Sequence, residues 1–262
     1  MPELPEVETI VNALAPRLSG RRVVSAEFLS SLVLRHCIGG DPQELVQQTV
    51  AKLERRGKFI LIHLERHVLV IHLGMTGKLL FDSGRTPYTR AIFGFDDCTL
   101  FYEDIRQFGS IEWSTVVPKR IELLGPEPFD ITPAAFHRAM RGRRTPVKSL
   151  LLNQQVLRGL GNIYVDESLW RAGINPRRLA GKLSGPRAAR LLEEIQNVLN
   201  EAIQHRGSSI SDYVDADGRK GGFQLQHRVY GREGKPCVNC GTPIRRIVLG
   251  QRGTHYCPKC QR

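Results

Sequence analysis

The sequence predicts an α+β chain. It has an N-terminal helix plus an antiparallel β-sandwich domain, then a helix-two-turn-helix domain, then a four-cysteine β-hairpin finger. Three observations carry this: helical spacing at the very start, short β-rich runs from about residue 22 to 116, and a return to helical period after Gly125-Pro126-Glu127-Pro128.

Between residues 5 and 15, Val7, Ile10, Val11 and Leu14 fall on one helical face. Pro5 suits the first helical position, and Glu6 and Glu8 suit the positive end of the dipole. The runs VVSAEFL, KFILIHL, HVLVIHL, KLLF, AIFGF, TLFY and IEW then read as strands, separated by turn pairs such as Glu65-Arg66 and Asp96-Asp97. The Gly125–Pro128 segment resists helix and strand alike and reads as a connection. Beyond it, Thr132-Pro133 and Thr145-Pro146 each pair an N-cap with a first-turn proline. A helix through Val147, Leu150 and Leu151 is expected to reach about Val156, followed by a tight turn over residues 158–161 and a second helix capped by Asn162. A further helix carries Leu191, Leu192, Ile195, Val198, Leu199 and Ile203, with Gly207 as its stop. The expected domains are 1–125, 126–225 and 226–262, with no internal repeats.

A chain of 262 residues accommodates two domains and a small appendage. Its 38 Lys and Arg against 26 Asp and Glu give a formal charge of +12, which suits a polyanionic partner. The excess is uneven: residues 219–262 hold ten basic side chains and one acidic one, Glu233. A basic segment beside a cysteine cluster points to a phosphate backbone. No basic n-region precedes an apolar stretch and no run is long enough to span a membrane, so a cytoplasmic location is expected.

Cys237-x-x-Cys240 and Cys257-x-x-Cys260 are separated by sixteen residues. Two hairpin knuckles at that spacing present four thiolates to one tetrahedral zinc ion; the alternative is two disulfides or a redox pair. Four cysteines close the shell, so the ion is structural. Arg252, near the tip of the hairpin between the knuckles, reads either as a phosphate or sugar contact or as a solvated arginine. Cys37 and Cys98 lie apart in strand-like segments and read as core fillers.

The opening Met-Pro-Glu-Leu-Pro-Glu places a small residue after the initiator, so removal of Met1 leaves Pro2 as a free secondary amine. Such an amine, attacking an acetal-like sugar carbon, yields an iminium ion directly, an electron sink for elimination. The positive end of the adjoining helix favours its neutral form. Glu3 stands beside it as a proton donor or acceptor, or as ordinary helix-start capping.

PELPEVET (2–9), RRGK (55–58), HLGMTG (72–77), DIRQFG (104–109), GLGNIYVDE (159–167) and the four-cysteine finger occur in this order, and together the chain resembles the formamidopyrimidine-DNA glycosylase family. The resemblance implies a monomeric enzyme acting on damaged double-stranded DNA. It removes oxidised purines and cleaves the strand by β- and δ-elimination, with one structural zinc and no nucleotide or flavin cofactor. It assigns Pro2 as Schiff-base nucleophile, Glu3 as proton donor, Glu6 as supporting carboxylate, Lys58 as phosphate grip and proton-transfer group, and Arg252 to δ-elimination and phosphate contact. Without the motif, Lys58 reads as a strand-end lysine reaching to water.

A base inside the stack is out of reach, so the damaged nucleotide must be flipped out and the gap filled. Met75, Arg106 and Phe108 match the family's void-filling side chains; alone, Met75 and Phe108 read as core, although Gly74, Gly77 and Gly109 favour loops. His72 and Tyr88 join the DNA-binding set. Phosphate contact is expected of Asn162, with Lys148 and Arg143 on the preceding element. Residues 207–224 resemble a mobile loop that caps an everted 8-oxoguanine.

Three positions depart from the family pattern. Tyr88 stands where histidine is expected, which weakens one DNA contact; Gln107 replaces a frequent basic residue, and Asn153 an aspartate. Two rivals remain: an endonuclease-VIII-like enzyme for oxidised pyrimidines, and a non-enzymatic zinc-finger binder of damaged DNA for which Pro2 is dispensable.

Overall fold

The computed structural model describes residues 2–34, 40–210 and 212–262; Cys37 lies outside the described residues. The chain divides into two compact units, Met1–Glu122 with Ile203–Gln224 and Leu123–Ala202 with Leu225–Arg262. Residues 203–224, expected to belong with the helical domain, thus cluster in the first unit.

Helix α1 (Leu4–Leu18) starts one residue earlier than predicted, with Leu4 first and Pro5 second, because Glu3 rather than Leu4 is its N-cap. It buries Leu4, Val7, Ile10, Val11, Leu14 and Leu18. The strands follow as β1 (Val23–Phe28), β2 (Val50–Arg56), β3 (Phe59–Leu64), β4 (Val68–His72), β5 (Lys78–Phe81), β6 (Thr89–Phe95), β7 (Thr99–Glu103) and β8 (Ser110–Ser114), before the short α2 (Lys119–Glu122). They form two antiparallel four-stranded sheets, ordered β1-β6-β7-β5 and β2-β3-β4-β8. Ile60, Ile62 and Ile71 of one sheet share a core with Leu79, Phe93 and Leu100 of the other and with α1, and Cys98 lies in it as expected. Burying that apolar face is what drives the sheets onto the helix. The sequence pattern misses β2 because it is an edge strand whose Lys52, Glu54, Arg55 and Arg56 mask the alternation.

The second unit holds α3 (Pro133–Met140), α4 (Val147–Leu151), α5 (Asn162–Arg171), most of α6 (Gly185–Gln204), and the hairpin β9 (Arg245–Leu249) and β10 (Arg252–Tyr256). Thr132 caps α3 as predicted, accepting from the Ala135 amide. At α4 the start shifts by one residue, with Pro146 at the N-cap and Val147 first. The helix also ends well before Val156, because the Asn153 side chain accepts from the Gln155 amide and turns the chain. Asn162 does not cap α5: Gly161 does, in an extended conformation, and Asn162 is the first helical residue. Past α6, Arg206 and Gly207 both take positive φ (58° and 77°), so the stop begins at Arg206. Among the described residues no helix is long and apolar enough to cross a membrane.

Candidate functional site

In the first unit, Pro2 is buried immediately ahead of α1, and Glu3 and Glu6 are 3% and 1% exposed. The two glutamates form a reciprocal capping box: the Glu3 carboxylate accepts from the Glu6 amide and Glu6 Oε2 accepts from the Glu3 amide at 2.8 Å. Orphan amides of the first turn are thereby satisfied, and negative charge sits at the positive end of the helix. The capping reading of Glu3 and its proximity to Pro2 therefore hold together.

Glu6 also reaches the opposite end of the unit's sequence. Its Oε1 accepts from the Ser208 amide at 2.7 Å, and its backbone carbonyl accepts from the Tyr213 hydroxyl at 3.3 Å. Burial, then the charge of Glu6, pushes the Tyr213 hydroxyl pKa up, keeping it a neutral donor. Gly207 is obligatory in this contact: its φ is +77° and a Cβ there would stand 2.6 Å from Glu6 Oε1. The segment 207–224 is held by further ties within the unit. Phe81 N donates to Ala216 O at 2.9 Å, Arg17 pairs with Asp217 at 2.5 Å, Ser209 N donates to Gln224 Oε1 at 2.9 Å, and Phe223 N donates to Gly207 O at 3.0 Å.

Lys58 lies in the two-residue turn between β2 and β3, next to Gly57, and at 8% exposure keeps a small accessible surface rather than extending into solvent. The turn is fixed to α1 through Arg55, whose Nε donates to Glu8 Oε2 at 2.6 Å and whose Nη1 donates to Gly57 O at 3.1 Å. Sequence reasoning passed over this Arg55–Glu8 pair; the signal was the arginine inside RRGK together with a half-buried third acid in PELPEVE.

Met75 and Phe108 are not core residues: they are 41% and 50% exposed, on the β4–β5 and β7–β8 loops. The loops lie back to back. A Cβ on Gly74 (φ +59°) would meet Gly109 N and Phe108 C at 2.5 Å, so only glycine permits the approach. Buried Asp104 locks them by accepting from Thr76 Oγ1 (2.5 Å), Gly109 N (2.8 Å) and Tyr102 Oη (3.3 Å), while Arg106 N donates to Thr76 Oγ1 (3.1 Å). The Arg106 guanidinium stacks 4.7 Å above the Phe108 ring. Gln107, at φ +53°, accepts from Ser30 Oγ at 2.6 Å. Exposed Tyr88 is tied in through its carbonyl, which accepts from Asp104 N at 3.0 Å. His72 packs on Phe59, with ring centroids 4.9 Å apart, and its Nδ1 accepts from Gly74 N at 3.2 Å.

The second unit corrects one expectation. Lys148 is fully buried, with Nζ donating to Asp166 Oδ1 at 2.7 Å and to Gly253 O at 3.1 Å. A side chain with no exposed surface has no path to a phosphate, so Lys148 is an internal strut. Asn162 Nδ2 donates to the same Gly253 carbonyl at 2.9 Å, its Oδ1 is buried without a partner, and Asp166 Oδ2 accepts from His255 N at 2.8 Å. These contacts grip β10 directly after Arg252, which is exposed and follows the Gly250-Gln251 turn. Both turn residues have positive φ, as a type I′ hairpin requires. Glu167 anchors the chain ahead of the finger by accepting from the amides of Arg228, Val229 and Tyr230. Arg143 stands elsewhere, exposed at the edge of a cavity of about 480 Å³.

The sulfurs of Cys237, Cys240, Cys257 and Cys260 all lie within 4.8 Å of one another. The Cys237–Cys260 and Cys240–Cys257 separations are 3.9 and 3.5 Å, far beyond the ~2.05 Å of a disulfide. They are close to the ~3.8 Å edge of a tetrahedron with zinc–sulfur bonds of ~2.3 Å. Hydrogen bonds from Thr242 hold the Cys240 thiol down to about 6, favouring the thiolate. The cluster fits one structural zinc ion.

Three family profiles match in succession: the formamidopyrimidine-DNA glycosylase N-terminal domain over residues 1–111, its H2TH domain over 124–214, and a zinc finger found in FPG and IleRS over 234–262. A formamidopyrimidine-DNA glycosylase of Solibacter usitatus is 52% identical, with 100% of each chain covered. Among solved structures, the MutM (Fpg) protein of Thermus thermophilus superposes with a TM-score of 0.91 at 40% identity, covering 99% of this chain and 98% of that one. A point mutant of the Lactococcus lactis FPG, bound to DNA containing Fapy-dG, gives 0.92 at 34% identity with 100% of each chain covered. With the four-cysteine finger, the capped N-terminus and full-length similarity in agreement, the chain belongs to the formamidopyrimidine-DNA glycosylase family.

Proposed function

We propose that the chain is a bifunctional glycosylase and abasic-site lyase of base excision repair, which excises 8-oxoguanine and formamidopyrimidines from duplex DNA. The observation that carries this is the buried Pro2-Glu3-Glu6 arrangement at the head of α1, with the Lys58 turn fixed to the same helix. The Pro2 nitrogen attacks C1′, the bond to the base breaks, and the departing base takes a proton. Glu3 supplies a proton as the sugar ring opens, giving an iminium ion; Glu6 holds Glu3 and the 207–224 segment. Loss of a C2′ proton then breaks the C3′–O bond and expels the 3′ phosphate. In δ-elimination, loss of the C4′ proton breaks the C5′–O bond and expels the 5′ phosphate, with Lys58 and Arg252 on the phosphates, and water hydrolyses the remaining iminium to free Pro2.

Met75, Arg106 and Phe108 enter the void left by the everted nucleotide; their exposure on two interlocked loops supports the reading. His72 and Tyr88 flank those loops. Asn162, Arg143 and Arg252 contact the backbone, and Lys148 contributes only by holding β10. By function, residues 1–125 carry the chemistry, 126–225 the helical DNA grip with the capping loop 207–224, and 226–262 the zinc finger. The four reduced cysteines suit a cytoplasmic location.

Borohydride trapping tests the proposal. A covalent complex should form with duplex containing 8-oxoguanine opposite cytosine and vanish in Pro2→Gly or when the N-terminus is blocked. Trapping that survives both changes refutes the Pro2 chemistry. Crosslinking confined to a dihydrouracil duplex would reassign the enzyme to oxidised pyrimidines.

A further inference from the structure

A cavity of about 900 Å³ opens in the second unit at the C-terminal end of α5, where Trp170 and Arg171 close the helix. Asn162 begins the same helix, so the cavity lies about ten residues, or ~15 Å, from the proposed backbone contact. None of the proposed catalytic or DNA-contacting residues lines it.

Five arginines do. Arg171 is neutralised by Glu201, with both its terminal nitrogens 2.6 Å from the carboxylate oxygens. Arg187, Arg190, Arg228 and Arg262 make no ion pair within 4.0 Å with an Asp or Glu side chain among the described residues. Arg187 and Arg190 stand three apart on one face of α6, and among the described residues their guanidinium groups donate to main-chain oxygens, Arg187 to those of Gly173 and of the last residue, Arg262, and Arg190 to that of Arg171. Burial, then the like charges of Arg178 and Arg190, lowers the Arg187 pKa.

The wall is not uniformly cationic. Glu194 lines it, and Trp170 and the 52%-exposed Val238 give it an apolar side. A phosphodiester strand meets repulsion at Glu194 and gains nothing from Val238, and a duplex is too wide for a hollow of this size. Carboxylates spaced along a peptide can pair with the arginine forks while an apolar side chain covers Trp170 and Val238. We infer that this cavity docks an acidic peptide segment of a partner protein, carrying an apolar residue among its carboxylates, while the DNA-binding residues stay free.

The test uses fluorescein-labelled Glu-Asp-Leu-Glu-Glu-Asp-Leu-Glu, read by anisotropy against the full-length zinc-loaded protein at ~0.15 M salt. Saturable binding is expected, unchanged within about twofold by saturating duplex DNA, because the two sites do not overlap. Arg187→Glu with Arg190→Glu should weaken the peptide by at least about tenfold while duplex affinity stays within about twofold. If that variant fails to fold, Arg190→Gln alone, at an exposed position, should still weaken the peptide by about threefold. Displacement of the peptide by duplex, tighter binding of a single-stranded oligonucleotide in the same competition, or unaltered peptide binding by folded variants overturns the inference.

Discussion

Replacing Lys148 with methionine removes the cation that faces the Asp166 carboxylate at 2.7 Å, with no exposed surface on either side chain. Methionine approximates the volume of the lysine stem, so the packing term stays small and the loss is chiefly electrostatic. Breaking one side of a buried pair costs about 3–5 kcal/mol, because the Asp166 carboxylate then keeps only the His255 side of its surroundings, with Oδ1 facing neither water nor a cation. At roughly 2–4 °C per kcal/mol for a chain of this size, the unfolding midpoint should fall by about 6–20 °C. Replacing both partners, Lys148→Met with Asp166→Leu, should recover most of that loss, since a well-packed apolar pair is often as stable as the ion pair it replaces. Differential scanning calorimetry on the zinc-loaded proteins reads all three midpoints. The single variant should also bind duplex DNA more weakly, because Gly253 O loses one of its two side-chain donors directly after Arg252. A single variant that melts within a degree of the native protein, or a double variant no better than the single, refutes the mutual dependence argued here.

Gly207→Ala should destabilise the protein by about 1–3 kcal/mol, since both the positive φ and the 2.6 Å approach to Glu6 oppose a methyl group; urea melts and lesion excision should fall together. Chelating zinc, or Cys257→Ala, should abolish DNA binding rather than turnover alone, because the ion holds the hairpin bearing Arg252; retained affinity in zinc-free, folded protein contradicts this. Burial lowers the pKa of His227 from 6.5 to about 4, so the fold prefers the neutral ring. Stability from this group is complete above pH 6.5 and is lost as pH falls from 6.5 towards 4, by roughly 3 kcal/mol at most. His227→Phe should flatten the pH dependence of the melting midpoint across that window, and an unchanged slope would assign it to other groups.

Much of this arrangement was legible in the residues. The apolar period of α1 and the seven strands with strong β-runs stood out because one face of each is buried. The four cysteines announced themselves by spacing, and the PELPEVET and DIRQFG strings located the N-terminal and loop residues. What escaped were features set by partners distant in sequence. The buried state of Lys148 depends on Asp166, one helix away, and the order of the 207–224 segment depends on Glu6, about two hundred positions earlier. β2 escaped because four charged residues on this edge strand hide the apolar alternation, and the extent of α4 because a single asparagine side chain competes with the helix at Asn153. Local pattern reports which faces are apolar; it is silent on which charges find each other.

The capping box at the head of α1 sets a limit on how this enzyme can be hardened. Aspartate or serine at position 3 is the conventional remedy for a weak helix start, worth some tenths of a kcal/mol to about one. Here the residue that begins the helix is also the proposed proton donor, and a shorter side chain withdraws its acid from the sugar. Thermal robustness must therefore be sought at other helix termini, away from the proposed DNA contacts, while the first turn of α1 stays as the chemistry requires it.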